Sequence, residues 1–213
     1  MAANSSVFLR RGVAIESPVE LALGFLERYG RDDADPSGPI AFGEADLRLS
    51  NRQGARISAA QIDTILSRRR RIQRALRAIA PDASLARPAK HVPWLALQQL
   101  FEPFDGIHGV GFSKMTKTLH RKRPALIPML DSIVQGYLAD DDPGPKAPFS
   151  TRALALVRAY KGDLDRNRRA LRAAGRELAR RDYDVSAVRL LDILIVSTPE
   201  LLPPAPGQPS RGE

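Results

Sequence analysis

Apolar residues recur at helical spacing along most of this chain, and no two segments alternate in the way that paired strands require. Val19, Ala22, Leu26 and Tyr29 fall on one face, with Leu23 and Phe25 beside it. Ile62, Ile65, Leu66, Ile72, Leu76 and Ile79 build a second stripe at the period of an α-helix. Start and stop signals frame these stripes. Ser17-Pro18-Val19-Glu20 offers an N-cap, a proline at the first helical position and a glutamate placed to close a capping box, and Gly30 ends the pattern. Ser58-Ala59-Ala60-Gln61 is a second capping box, opening a helix that should run to about Ala80.

Further helices are predicted over 92–101, from a cap at Ser150 to about Tyr160, over 164–181 and over 184–197. Gly162 either breaks or bends the pattern between the second and third of these. Within 40–53, Leu47-Arg48-Leu49 alternates like a strand, but with no partner elsewhere a short helix is the better reading. The fold class that follows is all-α, a compact multi-helix domain. At 213 residues one domain is expected, spanning 13–198. The first dozen residues should be frayed, 31–39 a loop, 81–90 a linker and candidate lobe boundary, and 199–213 a disordered Pro-rich tail.

Composition narrows the partner. Lys and Arg total 33 against 24 Asp and Glu, a net charge of +9, which favours an anionic partner such as nucleic acid, a nucleotide or an anionic membrane. Six of the basic residues are Lys and the rest Arg, so part of the excess is a compositional habit. Without cysteine, zinc-thiolate and iron–sulfur sites are excluded. His91, His108 and His120 lie too far apart for a local metal motif, so neither a metal nor another cofactor is expected. No segment approaches the apolar length of a membrane span and the start lacks a signal-peptide run. A cytoplasmic location is the expectation. In the run Arg68-Arg69-Arg70-Arg71, Arg69 falls in the middle of the apolar stripe if the helix is continuous. It either snorkels to a surface partner or turns a guanidinium into a cleft to bind an anion.

The chemistry concentrates between Phe101 and Leu138. Gly109-Val110-Gly111 turns the chain between two short helices, and glycine there leaves backbone N–H groups uncovered beside a helix start. Such a turn can hold a nucleic-acid phosphate without reading a base, and Ser113, Lys114 and Lys117 follow on the second helix to add contacts. His120-Arg121-Lys122-Arg123 either complements a helix C-terminus or extends a nucleic-acid-facing basic edge through Arg121 and Arg123. Asp131, twenty residues beyond Gly111, is placed to cap the helix that follows.

The hairpin and aspartate together resemble the helix-hairpin-helix superfamily of base-excision DNA glycosylases over residues 92–140. Ile107, Gly109, Val110 and Gly111 match its hairpin, and Asp131 and Val134 match the block around its catalytic aspartate. His108 stands where that hairpin usually has proline, and Phe112 where a basic residue is frequent. The resemblance implies a helix-hairpin-helix element that binds DNA. It also implies an Asp131 carboxylate that stabilises the cationic sugar formed as an N-glycosidic bond breaks. Members that also cut the backbone carry a lysine where this chain has Ser113, so the resemblance implies a monofunctional enzyme. The segment 109–134, with its Lys-x-Leu-His-x-x-x-Pro core, is still more similar to a family of uncharacterised bacterial proteins with the same hairpin-to-aspartate layout. Two functions follow as expectations: a protein that binds nucleic-acid backbone, DNA rather than RNA, or a glycosylase-type hydrolase using Asp131.

Overall fold

In the computed structural model, which describes residues 6–30 and 37–201, ten α-helices surround one contiguous hydrophobic core. The helix α1 (Pro18–Tyr29) ends at Gly30 with φ +76°, as its glycine stop predicts. Its expected capping box does not form, since Ser17 makes no side-chain cap hydrogen bond. The ambiguous 40–53 stretch is helical: α2 (Glu44–Arg52) follows an extended Gly43. Its Asp46 carboxylate reaches back to the Gly43 N–H at 2.7 Å.

The capping box at Ser58 is present in both directions, with Gln61 N–H donating to Ser58 Oγ (3.3 Å) and Ser58 N–H to Gln61 Oε1 (3.1 Å). The helix it opens is not continuous. It breaks at Arg68 (φ −96°, ψ 5°) into α3 (Ala59–Ser67) and α4 (Arg69–Arg77). The break rotates the arginine run, so the inward guanidinium is that of Arg68, whose Nη1 donates to the carbonyls of Pro103 (2.8 Å) and Asp105 (2.6 Å). Arg69 is exposed, and its predicted place in the apolar stripe is corrected accordingly.

Residues 81–90 do not divide the molecule. Ala83 and Leu85 are buried in the common core, and the Leu85 N–H donates to the Ala125 carbonyl at 2.8 Å. Beyond them come α5 (Trp94–Phe101), a single 3-10 turn at Glu102–Phe104, α6 (Phe112–His120) and the short α7 (Ser132–Tyr137). Ser150 is not the cap of the next helix, α8 (Phe149–Arg166), but lies inside it. Its N–H and hydroxyl donate to the Asp105 carboxylate at 2.9 and 3.2 Å. Gly162 passes unnoticed within α8; the bend comes at Asn167, after which α9 (Arg168–Arg180) and α10 (Ala187–Val196) complete the fold. The helix α10 packs against α1, α7, α8 and α9, and α5 against α4 and α8, which makes α10 and α5 the central helices.

Residues 6–15, which include part of the stretch where fraying is predicted, are folded onto the body. Strands β1 (Val7–Phe8) and β2 (Ala14–Ile15) form a minimal antiparallel hairpin, with Val7 fully buried. Arg10 locks it to the body through ion pairs with Asp141 and with the buried Asp163 (2.7 Å), beneath the Tyr137 hydroxyl. The expectations for residues 1–5, most of the 31–39 loop and the tail from 202 lie outside the described residues.

Candidate functional site

The turn between α5 and α6 is built by two left-handed glycines, Gly106 (φ +69°) and Gly109 (φ +71°), whereas Gly111 is the extended residue before α6. Val110 tucks into the core as the two glycines on either side stay exposed. A Cβ at Gly109 would sit 2.5 Å from Gln61 Nε2. That amide donates to the His108 carbonyl (3.1 Å), and its oxygen accepts from Lys114 Nζ (2.8 Å). One side chain thus closes the capping box of α3, braces the glycine turn and orients Lys114. Gly111 provides no side-chain cap to α6, so the first-turn N–H groups of that helix present a local positive end. Ser113 and Lys114 lie half-buried beside it.

One and a half turns along α6, Lys117 projects into a cavity of about 590 Å³. Phe25 and Tyr29 of α1, Arg52 and Gln53 at the end of α2, Met129, Asp131 and Ile133, and Arg189, Asp192 and Val196 of α10 line it. The aromatic wall is a tilted pair, the Phe25 and Tyr29 rings lying 4.7 Å apart, with the Arg189 guanidinium 5.4 Å from the Phe25 ring centre. Asp131 takes its expected place as a helix cap. Its Oδ1 accepts the N–H groups of Ile133 and Val134, each at 3.0 Å, capping α7, and the residue also lines the cavity, as Lys117 does.

Asp192 is the residue that sequence reasoning missed. It is only 2% exposed, its Oδ2 accepts the Met129 N–H at 3.1 Å, and its Oδ1 has no hydrogen-bond partner. Burial raises its pKa to about 7, against the opposing pull of the Met129 N–H and of Arg189, while the Asp131 charge pushes it further up. The signal was present: an aspartate within the apolar run Leu190-Leu191-Asp192-Ile193-Leu194 is costly unless its environment makes use of it. Arg52, Arg189 and the aromatic pair carried no comparable signal, because their convergence depends on how α1, α2 and α10 pack.

The basic connector after α6 is not an exposed edge. Arg123 is fully buried, its guanidinium donating to the carbonyls of Pro39, Lys122, Leu76 and Ile79 at 2.6–2.7 Å. It satisfies the last carbonyls of α4, whose end would otherwise be buried without partners. Lys122 pairs with Asp46 at 2.7 Å in the same interior, and Arg121 is 3% exposed. Arg121 and Arg123 therefore leave the predicted nucleic-acid edge, and Arg69 lies on α4 rather than on the hairpin. Gly109, Val110, Gly111, Ser113, Lys114 and Lys117 share one turn and one helix, and Asp131 and Lys117 line the same cavity. Among the described residues no group of three or more His, Asp or Glu side chains is placed to hold a metal ion, and no helix is long and apolar enough to cross a membrane.

The fold and site define an all-helical protein with a glycine turn leading into a mixed-charge, aromatic-walled cavity. The chain belongs to DUF6308, a family of unknown function, which matches it over residues 20–198 and so takes in every residue of the turn and the cavity. Comparison with curated proteins and with solved structures yields no match.

Proposed function

We infer that this protein binds nucleic acid, DNA in preference to RNA, by holding the sugar–phosphate backbone at the turn and helix start from Gly109 to Lys117. One observation carries the reading: α6 joins an uncapped, glycine-led N-terminus to a cavity that Lys117, Arg52 and Arg189 make electropositive. A phosphate at the helix start is favoured by the uncovered N–H groups and the dipole, with Lys114 held near by Gln61. Backbone contact of this kind is sequence-tolerant and salt-dependent. Three phosphate contacts imply that duplex affinity falls about fortyfold between about 50 and 200 mM salt. Titration of a labelled duplex by anisotropy at the two salt concentrations tests this, and indifference to salt refutes it.

The cavity favours a second, sharper reading: a monofunctional glycosylase-type hydrolase acting on the nucleotide that enters it. The C1′–N bond breaks with its electron pair leaving on the base, and a protonated Asp192 supplies the proton that neutralises the leaving base. The Asp131 carboxylate, held by its cap, stabilises the cationic sugar, orients the water that attacks C1′ and takes up the proton that water loses, which passes through solvent to restore Asp192. Two carboxyl groups in one pocket, one of which keeps its proton to about pH 7, suit this division of labour. Free-base release from damaged and mismatched duplexes is the assay. Release that persists in Asp131→Asn excludes this chemistry.

A further inference from the structure

Three cations line the cavity with no anion to answer them. Among the described residues Arg52, exposed at its rim, makes no hydrogen bond or ion pair. Lys117 Nζ reaches the Gln53 carbonyl at 3.4 Å, near the limit of a hydrogen bond. Arg189 Nη1 reaches the Met129 sulfur at 3.9 Å, a weak acceptor. The two carboxyl groups of the same cavity do not compensate them. Asp131 Oδ1 is taken up by the start of α7, and burial keeps the proton on Asp192 to about pH 7. Elsewhere the molecule pairs its part-buried cations, Arg10 with Asp163, Arg152 with Asp142 and Lys161 with Asp165. Like charges gathered on one concavity repel until an anion neutralises them.

The rest of the wall is apolar and aromatic. The Arg189 guanidinium covers the Phe25 ring, 5.4 Å from its centre, whereas the neighbouring Tyr29 ring is 64% exposed although it lines the cavity. Tyr29 is thus open to a planar partner, and Met129, Ile133 and Val196 extend the apolar surface. At about 590 Å³ the cavity falls within the range of about 300–1,000 Å³ in which small ligands are held. A ligand that satisfies both halves joins a planar ring to a compact anion. A phosphate within a strand carries one charge, a terminal phosphate monoester about −1.5 to −2 at pH 7. Three unpaired cations favour the monoester.

We propose that the cavity binds a nucleoside 5′-monophosphate, its phosphate on Arg52, Lys117 and Arg189 and its base against Tyr29. A free mononucleotide and the 5′-phosphorylated end of a strand present the same chemistry. The proposal rests on the reading of the cavity as a nucleotide site, and requires neither binding at the turn nor base release.

Calorimetric titration of the full chain with dTMP, thymidine and inorganic phosphate tests it. dTMP is expected to bind at least about tenfold more tightly than thymidine or phosphate, each of which lacks one half of the contacts. Arg52→Gln and Tyr29→Ala, both changes of exposed side chains, are each expected to weaken dTMP binding about tenfold, and circular dichroism confirms that the variants fold. dTMP held no more tightly than phosphate overturns the proposal, as does dTMP affinity unchanged in both variants. Twelve-residue oligo-dT with a 5′-phosphate or a 5′-hydroxyl then distinguishes the sources. A tenfold preference for the phosphorylated oligonucleotide assigns the site to strand ends, and equal affinity beside tight dTMP binding assigns it to the free nucleotide. Failure here and failure at the turn are separable: salt-indifferent duplex binding refutes the turn while the dTMP titration still judges the cavity.

Discussion

Replacing Asp192 by Asn removes the one buried carboxyl that the cavity leaves half-satisfied, and its effect on stability should depend on pH in a calculable way. Burial, partly offset by the Met129 N–H and Arg189, raises the folded pKa of this group from 3.8 to about 7. Between about pH 4 and 7 the folded protein therefore holds a proton that the unfolded chain has released, and stability falls as pH rises through that window. Below it both states are protonated and the contribution is complete; above about 7 both are ionised and the loss levels off. A shift of about 3 units corresponds to about 4 kcal/mol, a sizeable part of a typical stability margin of about 5–15 kcal/mol. The amide introduced by the substitution cannot ionise, so the stability of D192N minus that of the wild type should rise by about 4 kcal/mol from about pH 4 to about pH 7.5. Urea denaturation of both proteins across that range, taken as a difference, cancels the titration of every other group. A difference that stays flat with pH would refute the assignment of a neutral, buried Asp192.

Arg123→Met should destabilise by about 3 kcal/mol in the same assay, because three buried carbonyls and the part-buried one of Pro39 lose their charged donor; a loss within about 0.5 kcal/mol, the usual range for an exposed site, contradicts its interior role. Gly109→Ala should cost about 2 kcal/mol, from the positive φ and from withdrawal of Gln61 from the His108 carbonyl. In a Gln61→Ala background the same change should cost less, and a double-mutant cycle measures the difference. Asp131→Asn should leave stability almost unchanged, since Asn caps a helix as well as Asp, while Asp131→Ala should lose about 1 kcal/mol. If the protein releases bases, D131N abolishes release at unaltered duplex affinity, and wild-type activity declines as pH rises past about 7 with the Asp192 proton.

The elements that the sequence foretold are those whose signals are local. The Ser58 box, the Gly30 stop, the α2 helix and the Asp131 cap each rest on a few neighbouring residues, and each is present. Two local signals, the Ser17 box and the Ser150 cap, did not form, but the failures that relocate candidate site residues share a different cause. Extrapolating one helical period through Arg68 assumed continuity, and a single residue with ψ near zero was enough to exchange Arg69 for Arg68. The reading of Arg121 and Arg123 as surface cations followed from charge alone. What reverses it is long-range: carbonyls at the end of α4, 44 to 47 residues earlier, need a donor. The cavity was illegible for the same reason, since its walls come from five separate stretches of chain that meet only after α10 is enclosed.

Those long-range contacts also sharpen what the turn can do. Gln61 fills the concave side of Gly109, so a phosphate must approach from the opposite side, toward the start of α6 and Ser113. From that side the helix runs inward for six residues to Lys117, directly at the cavity that holds Asp131, a rise of about 9 Å. A backbone held at Gly111 is thus about one or two nucleotides from the cavity mouth, where Tyr29 stands 64% exposed. If nucleic acid is held at the turn as proposed, entry of a nucleotide into the cavity is coupled to it through the single helix α6. Gly109→Ala, which displaces Gln61 from the turn without touching the cavity, should accordingly weaken duplex binding and any base release together. Asp131→Asn, which leaves α6 in place, should separate them.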